Sequence, residues 1–167
     1  MILQIMPKKM ILVTGGAGYI GSHTVFALKE KAFDVLILDN LSTGFKDLIH
    51  PQALFVQGDV GDPNLLDHLF SSYPIAGVIH FAGSIIVSES VQDPLKYYHN
   101  NTAHTLTLIQ KCLQHHVNHF IFSSSAAVYG TPMRSPIDEL CSTHPINPYG
   151  MSKLMVECIL KDVAAAY

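Results

Sequence analysis

Thr14-Gly15-Gly16-Ala17-Gly18-Tyr19-Ile20-Gly21 decides how the rest of this chain is read. A short apolar run, Met10 to Val13, leads into it. A segment with helical spacing follows, with Ile20, Thr24, Ala27 and Leu28 at i, i+4, i+7 and i+8. A second apolar run, Val35 to Leu38, ends in Asp39, eighteen residues past Gly21. Strand, glycine turn, helix, strand and acid form the layout of a dinucleotide-binding unit. Gly15 permits the tight turn, Gly18 lets the backbone approach a pyrophosphate, and Gly21 lets the helix pack against the sheet. The helix start offers free N–H groups and a partial positive charge to phosphates. Asp39 is suited to accept a hydrogen bond from a ribose 2′-hydroxyl and to repel a 2′-phosphate, which selects NAD over NADP. A glycine triplet alone also fits a turn in some other α/β protein. The flanking strand, the helix and the position of Asp39 favour the dinucleotide reading.

The composition agrees. A chain of 167 residues has room for one domain with a real core. Its residues are 49% hydrophobic and only 14% charged, which suits a parallel sheet covered on both faces. A net charge of −3 with no basic run argues against a nucleic-acid partner. The three cysteines, Cys112, Cys141 and Cys158, form neither a CxxC pair nor a metal-ligand pattern. They read as reduced thiols of a cytoplasmic protein. No apolar stretch is long enough to span a membrane. Met1 to Lys9, interrupted by Pro7, reads as a loose extension ahead of a domain covering 10–167. Among the ten histidines, His115, His116 and His119 read as a solvated helix end without a metal, and His80 as a core residue.

Taken in order, the strands are Met10 to Val13, Val35 to Leu38, Ala53 to Val56, Gly77 to Phe81 and Asn118 to Phe122. The helices are Tyr19 to about Lys31, Asn64 to Tyr73, Pro94 to about His116, and Tyr149 to Tyr167. Leu41 to Pro51 reads as a loop with a short helix, and Arg134 to Pro148 as a proline-bearing loop with a surface turn at Asp138-Glu139. Alternating strands and helices imply right-handed crossovers and a doubly wound parallel sheet of the Rossmann type, in order 3-2-1-4-5. A ligand then lies beyond the carboxyl ends of the strands, at the switch between strands one and four. Gly15 to Gly21, Asp39-Asn40, Asp59-Val60, Ala82-Gly83 and Ser123 to Ser125 all follow strand ends.

The last helix opens Tyr149-Gly150-Met151-Ser152-Lys153, which puts a phenol and an ammonium on one face at i, i+4. A phenol ionises near ~10 and is a poor base at neutral pH. An ammonium about 5 Å away, at an effective dielectric of ~20, favours the phenolate by roughly 3 kcal/mol. Ser125, at the end of strand five, can share a proton with a substrate oxygen and orient it. A Tyr-x-x-x-Lys pair alone is also an ordinary helix start with a solvated lysine. The dinucleotide layout and the serine-ended strand upstream favour the catalytic reading.

The chain resembles the extended short-chain dehydrogenase/reductase superfamily, and within it the nucleotide-sugar 4-epimerases. The matching pieces run from Val13-Thr14 through His23, then Leu38 to Leu41, Gly58 to Val60, His80 to Gly83, Glu89 to Val91, Tyr97 to Asn101, Phe122 to Gly130 and Pro148 to Lys153. The resemblance implies transient oxidation of a UDP-hexose at C4 by bound NAD. Tyr149 is then the base, Lys153 its partner and Ser125 the orienting hydroxyl. It also implies a cofactor site: Gly15, Gly18, Tyr19, Ile20 and Gly21 at the pyrophosphate, and Asp39 and Asn40 at the adenosine ribose. Asp59 and Val60 flank the adenine. Phe81, Ala82, Gly83 and Asn100 lie along the nicotinamide half, and Leu41, Ser42, Thr43, Gly44, Ser123, Tyr149 and Lys153 complete the contacts. No metal is implied.

Two departures stand out. Many of these epimerases carry a lysine two residues after the Ala-Gly pair, where this chain has Ile85. The superfamily also continues with a substrate domain beyond the point matching Tyr167, so this chain is expected to be an N-terminal portion. Dehydration is disfavoured, because its acid pair falls at Ala126 and Ala127, which carry no proton to give. An epimerase for another nucleotide sugar and a catalytically silent dinucleotide-binding module both remain open. The superfamily often dimerises through the helices over 94–116 and 149–167. Leu95, Tyr98, Thr102, Leu106, Ile109 and Leu113 form one apolar stripe there, and Leu154, Cys158 and Val163 another.

Overall fold

Successive side chains of a strand point to opposite faces, so a strand that is apolar at every position must be covered on both. Five strands build the sheet: β1 (Met10–Thr14), β2 (Asp34–Asp39), β3 (Leu54–Gln57), β4 (Ile75–His80) and β5 (Phe120–Phe122). The inner strands β1, β2 and β4 are largely buried, whereas Leu54 of β3 and Ile121 of β5, at the two edges, are exposed. All pairs are parallel and the order is β3-β2-β1-β4-β5, as expected. Leu12 pairs with Leu36 on one side and Val78 on the other, so one row of the lattice is apolar across three strands. The computed structural model describes residues 9–167. The N-terminal extension therefore lies, apart from Lys9, outside the described residues.

The chain divides into two compact units. One comprises the residues up to Ala82 together with Leu108–Ser123; the other comprises Gly83–Thr107 and Ser124–Tyr167. The first holds the whole sheet. Leu12, Leu36, Leu38 and Val78 share one core cluster with Leu66, Leu69 and Phe70 of α2 (Pro63–Ser72) and with Leu108 and Cys112 of α5 (His104–Gln114). On the other face Val13, Val35 and Ile37 pack with Val25 of α1 (Tyr19–Glu30). Asp62 caps α2, its carboxylate accepting from the N–H groups of Asn64 and Leu65, with Pro63 at the first helical position. His80 is buried, as expected, and its Nδ1 lies 2.6 Å from the Thr14 hydroxyl on the neighbouring strand. Burial pushes the Cys112 thiol up to about 12, so this cysteine behaves as a small apolar side chain.

The second unit contains α3 (Val87–Gln92), α4 (Pro94–Tyr97), the start of α5, and α6 (Pro148–Ala166). A 3₁₀ turn spans Ala126–Tyr129. The expected single helix from Pro94 to about His116 runs without a gap from Pro94 to Gln114, but its winding changes in the middle. A π-helical stretch, Tyr98–Ala103, separates α4 from α5, and α5 stops at Gln114. The wider turn takes up residues whose side chains bond sideways instead of following an apolar stripe. Tyr97, Asn101 and Thr105 are buried, and the Thr105 hydroxyl donates to the Asn101 carbonyl at 2.6 Å. The stripe read from Leu95 to Leu113 is split: Ile109 is buried, whereas Leu95 and Leu106 are exposed. The helix Val87–Gln92 was not expected, because it is too short to show a period. Among the described residues no helix is long and apolar enough to cross a membrane.

His115 corrects the picture of a merely solvated helix end. Its Nε2 lies 3.1 Å from Asp67 Oδ1, its ring stacks on Phe70, and Lys111 Nζ reaches Asp67 Oδ2 at 2.6 Å. The carboxylate comes from α2, forty-eight residues away along the chain. No group of three metal-ligating side chains occurs among the described residues. The hydrogen bond from Lys111, then that from His115, holds Asp67 below the usual carboxylate range. A lowered folded-state value stabilises above the unfolded one and is lost as pH falls through the folded one. Asp67→Asn is therefore expected to lower the thermal midpoint slightly at neutral pH and to have no effect in strong acid. Thermal melts of both proteins across the acid range check this.

Candidate active site

In the first unit the site begins where β1 ends. Gly15 has φ +70°, and a Cβ there would fall 2.6 Å from the Ala82 nitrogen. The turn after β1 thus lies backbone to backbone against the residues that follow β4. A Cβ on Gly21 would fall 2.1 Å from the Gly15 carbonyl oxygen. Gly21 therefore lets α1 close on its own turn, not on the sheet as its spacing first suggests. Gly18 caps α1 without a side-chain bond, and the first turn carries no acid. Tyr19 and Ile20 of that turn are exposed. A helix start of this kind presents N–H groups and positive charge outward.

Asp39, at the end of β2, is nearly buried, with 8% exposure. One carboxylate oxygen accepts from Ala17 N–H at 3.0 Å and the other from Leu41 N–H at 2.8 Å. Besides offering itself to a ribose, the acid ties the glycine turn to the loop after β2. Leu41 takes φ +60°, an uncommon value for leucine, and is held there by that bond. Asn40 donates to Asp59 Oδ2 at 2.9 Å and accepts from Ser42 N–H at 2.9 Å. Gly44 comes so near that a Cβ on it would be 3.0 Å from Asp39 Oδ1, and Phe45 N–H donates to the Ala17 carbonyl. The loop Leu41–Gly44, the turn and Asp39 are thus one hydrogen-bonded assembly. Asp59 also accepts from Gly61 N–H, while the Val60 side chain belongs to the core. Phe81 N–H donates to the Thr14 carbonyl and Ser123 N–H to that of His80.

In the second unit, α6 starts with Asn147 as cap, its side-chain oxygen accepting from Gly150 N–H, and Pro148 in the first position. Tyr149 follows, half-buried, its ring edge-on to that of Tyr97 at 6.3 Å. Tyr97 is fully buried. Its hydroxyl accepts from Ile86 N–H and lies within 2.6 Å of the Ile86 carbonyl and 2.8 Å of Glu89 Oε2. Burial, then the bond to Glu89, pushes this phenol up to about 12. It therefore stays protonated, and it serves as the wall against which Tyr149 rests.

Lys153 is buried, with 4% exposure. Desolvation lowers it to about 8. A Cβ on Gly83 would lie 3.7 Å from its Nζ. Ser125 caps the 3₁₀ turn after β5, accepting from Ala127 N–H at 3.2 Å. Ile85, where many epimerases have lysine, is 62% exposed.

The residue that joins these pieces was missed from sequence. Asn101 is buried. Its Oδ1 accepts from Ser84 N–H at 2.7 Å, and its Nδ2 donates to the Ser84 carbonyl at 3.0 Å and to Ser152 Oγ at 3.1 Å. Thr102 Oγ1 donates to the Ser152 carbonyl. Ser152, between Tyr149 and Lys153, is thereby pinned to the π stretch. Asn100, the neighbour selected from sequence, donates to Ser84 Oγ at 2.9 Å. Two adjacent asparagines inside a helical segment were the available signal, since asparagine favours such positions only where its amide finds partners.

A doubly wound parallel sheet with an uncapped glycine turn, together with a helix opening Tyr149-x-x-x-Lys153, defines a Rossmann-type α/β protein. Residues 11–167 match the NAD dependent epimerase/dehydratase family, and the chain belongs to it. It is 50% identical over 164 residues to a UDP-glucose 4-epimerase of Azospirillum brasilense, a match covering 98% of this chain and 47% of that protein. The chain is also similar to the crystal structure of a UDP-glucose 4-epimerase from Brucella ovis in complex with NAD. There the TM-score is 0.92 and the identity 45%, over 95% of this chain and 49% of that one. A UDP-Glc/GlcNAc 4-epimerase from Campylobacter jejuni is 46% identical with a TM-score of 0.91, over 95% of this chain and 50% of that one. The chain spans about half the length of the curated relatives it matches.

The depressed value of Lys153 has a consequence for stability. Between about 8 and 10.5 the unfolded chain keeps a proton that the folded chain releases, so stability rises with pH across that window. Below it, the full cost of burying the charge is present. Lys153→Met is expected to stabilise the cofactor-free chain by up to about 3 kcal/mol at neutral pH. The gain should shrink as pH rises towards 10.5, as urea titrations of both proteins across that window will register.

Proposed function

We propose that the chain binds NAD and acts in the inversion of C4 of a UDP-hexose, interconverting UDP-glucose and UDP-galactose. The observation that carries this reading is the buried Lys153 one helical turn after Tyr149 in a chain half identical to a UDP-glucose 4-epimerase. The glycine turn fits a dinucleotide. Its helix start is uncapped and free of acids, and Gly15 and Gly21 leave no side chain over it.

On this reading the amides of Tyr19, Ile20 and Gly21 hold the pyrophosphate. Gly15 and Gly18 keep the turn open to it, the Gly18 N–H donating to the Gly15 carbonyl. The outer lone pairs of Asp39, with Asn40 and the loop Leu41–Gly44, hold the adenosine ribose, and Asp59 and the backbone of Val60 flank the adenine. Phe81, Ala82, Gly83, Asn100 and Ser123 bound the nicotinamide half, and Lys153 bonds its ribose. Bound NAD⁺ supplies a two-electron acceptor that later returns the same electrons. Tyr149 takes the proton of the sugar 4-hydroxyl and gives it back after the 4-keto sugar has turned over. Lys153, charged below about 8, stabilises the phenolate, and Ser125 bonds the reacting oxygen. The Campylobacter relative, whose name includes the N-acetyl sugar, supports a wider choice of hexose as the second reading. The three free cysteines support a reducing compartment, and we place the protein in the cytoplasm.

The test is to add NAD⁺ and UDP-galactose to the protein, then follow reduced-nicotinamide fluorescence and UDP-glucose formation. Wild type is expected to give both, and Tyr149→Phe to lower turnover by about a thousandfold or more, the loss of a proton-transfer group. Binding of NAD without either signal would replace the epimerase reading with that of a silent binding module.

Leu95, Leu106 and Met155, which lie on α4, α5 and α6 of the second unit, are exposed. We infer that this surface pairs with a second copy. A dimer at micromolar concentration in sedimentation velocity is expected, weakened by Leu95→Glu. A monomer at every concentration would end the idea.

A further inference from the structure

Tyr149, Lys153 and Glu157 follow one another at i, i+4 and i+8, so the face of α6 that carries the phenol and the amine continues into a carboxylate. That carboxylate is half-buried, and the Ser124 hydroxyl donates to its Oε1. Ser124 is the residue before Ser125, and both belong to the second unit with α6. The same loop also meets α6 near the helix start. A Cβ on Gly150 would fall 2.5 Å from the Ala127 carbonyl oxygen, so the helix start rests directly on the 3₁₀ turn that Ser125 caps. The contact at Gly150 can slide or rotate, because it has no direction of its own. A hydrogen bond to a carboxylate does have one. Gly150 lies between Tyr149 and Lys153, and Glu157 one turn beyond Lys153, so a steric contact and a directional one act together to fix how the loop is turned.

We propose that Glu157 is a positioning residue: it grips Ser124 and thereby sets the orientation of the adjacent Ser125 hydroxyl. Glu157 touches no reacting atom and acts through the peptide between the two serines. Its acceptor oxygen is what matters and its charge is not, so glutamine can replace it. The inference rests on the catalytic part given to Ser125 above, but the grip itself does not.

Two measurements separate them. The Ala127 amide donates to Ser125 Oγ, so its hydrogen exchange reports where that hydroxyl points, with no need for turnover. In Glu157→Ala and in Ser124→Ala the Ala127 amide is expected to lose about tenfold in protection, while the strand amides of Leu36 and Val78 keep theirs. Glu157→Gln is expected to retain protection, and the double alanine variant to be no worse than either single one, since both remove the same bond. Turnover of UDP-galactose should follow the same order, with kcat falling about tenfold in the alanine variants and KM little changed. Unchanged Ala127 exchange in Glu157→Ala, equal loss at the strand amides, additive losses in the double variant, or a glutamine variant as poor as alanine would each overturn the proposal. Altered exchange as described, with no turnover in wild type, would uphold the grip and overturn the epimerase reading instead.

Discussion

The carboxylate of Asp39 is the tie on which the first unit's ligand end depends. A strand end and a glycine turn are both left with backbone N–H groups that no regular structure satisfies. Here one side chain takes two of them, Ala17 N–H from the turn and Leu41 N–H from the loop after β2. Each is a charge-assisted bond in a nearly closed setting, roughly twice as strong as a neutral one. Leu41 keeps its left-handed backbone because of this tie, and the loop through Gly44 follows. A residue that sequence reasoning assigned to ligand selection is therefore also a structural keystone. Changing it alters the shape of the site as well as its chemistry.

The second unit is organised differently, around polar side chains buried where an apolar helix face would normally run. Asn101, Thr105 and Ser152 are all buried and bonded to one another or to nearby backbone. Buried polar groups cost stability unless satisfied, and once satisfied they admit few alternatives. The π stretch is what allows Asn101 to face Ser84 and Ser152 while Tyr97, one turn earlier, faces Tyr149.

What could be read from sequence divides along the same line. The sheet order, the glycine turn, the position of Asp39 and the opening of α6 all rest on patterns within some thirty residues, where period and spacing carry the information. The contacts that hold the site rigid do not. Glu157 with Ser124, Asn101 with Ser152 and Asp67 with His115 each join residues more than thirty positions apart. Nothing in the local pattern around either partner announces the other. The π stretch escaped for a related reason: one extra residue in a turn leaves composition unchanged and only shifts the phase. The apolar stripe drawn from Leu95 to Leu113 assumed an evenly wound helix, and so placed Leu95 and Ile109 on one face. Gly21 was correctly seen as a close-approach glycine, but its neighbour is the Gly15 carbonyl.

The polypeptide passes from one unit to the other three times, at Ala82–Gly83, Thr107–Leu108 and Ser123–Ser124. Neither unit is a continuous stretch of chain. No single cut could yield two pieces that each own a whole unit, and any gene fragment ending before Phe120 would leave the sheet without its fifth strand. Ribosomal synthesis meets the same constraint: β5 can join β4 only after the entire α3–α5 excursion has emerged, so sheet completion comes late for reasons of connectivity alone.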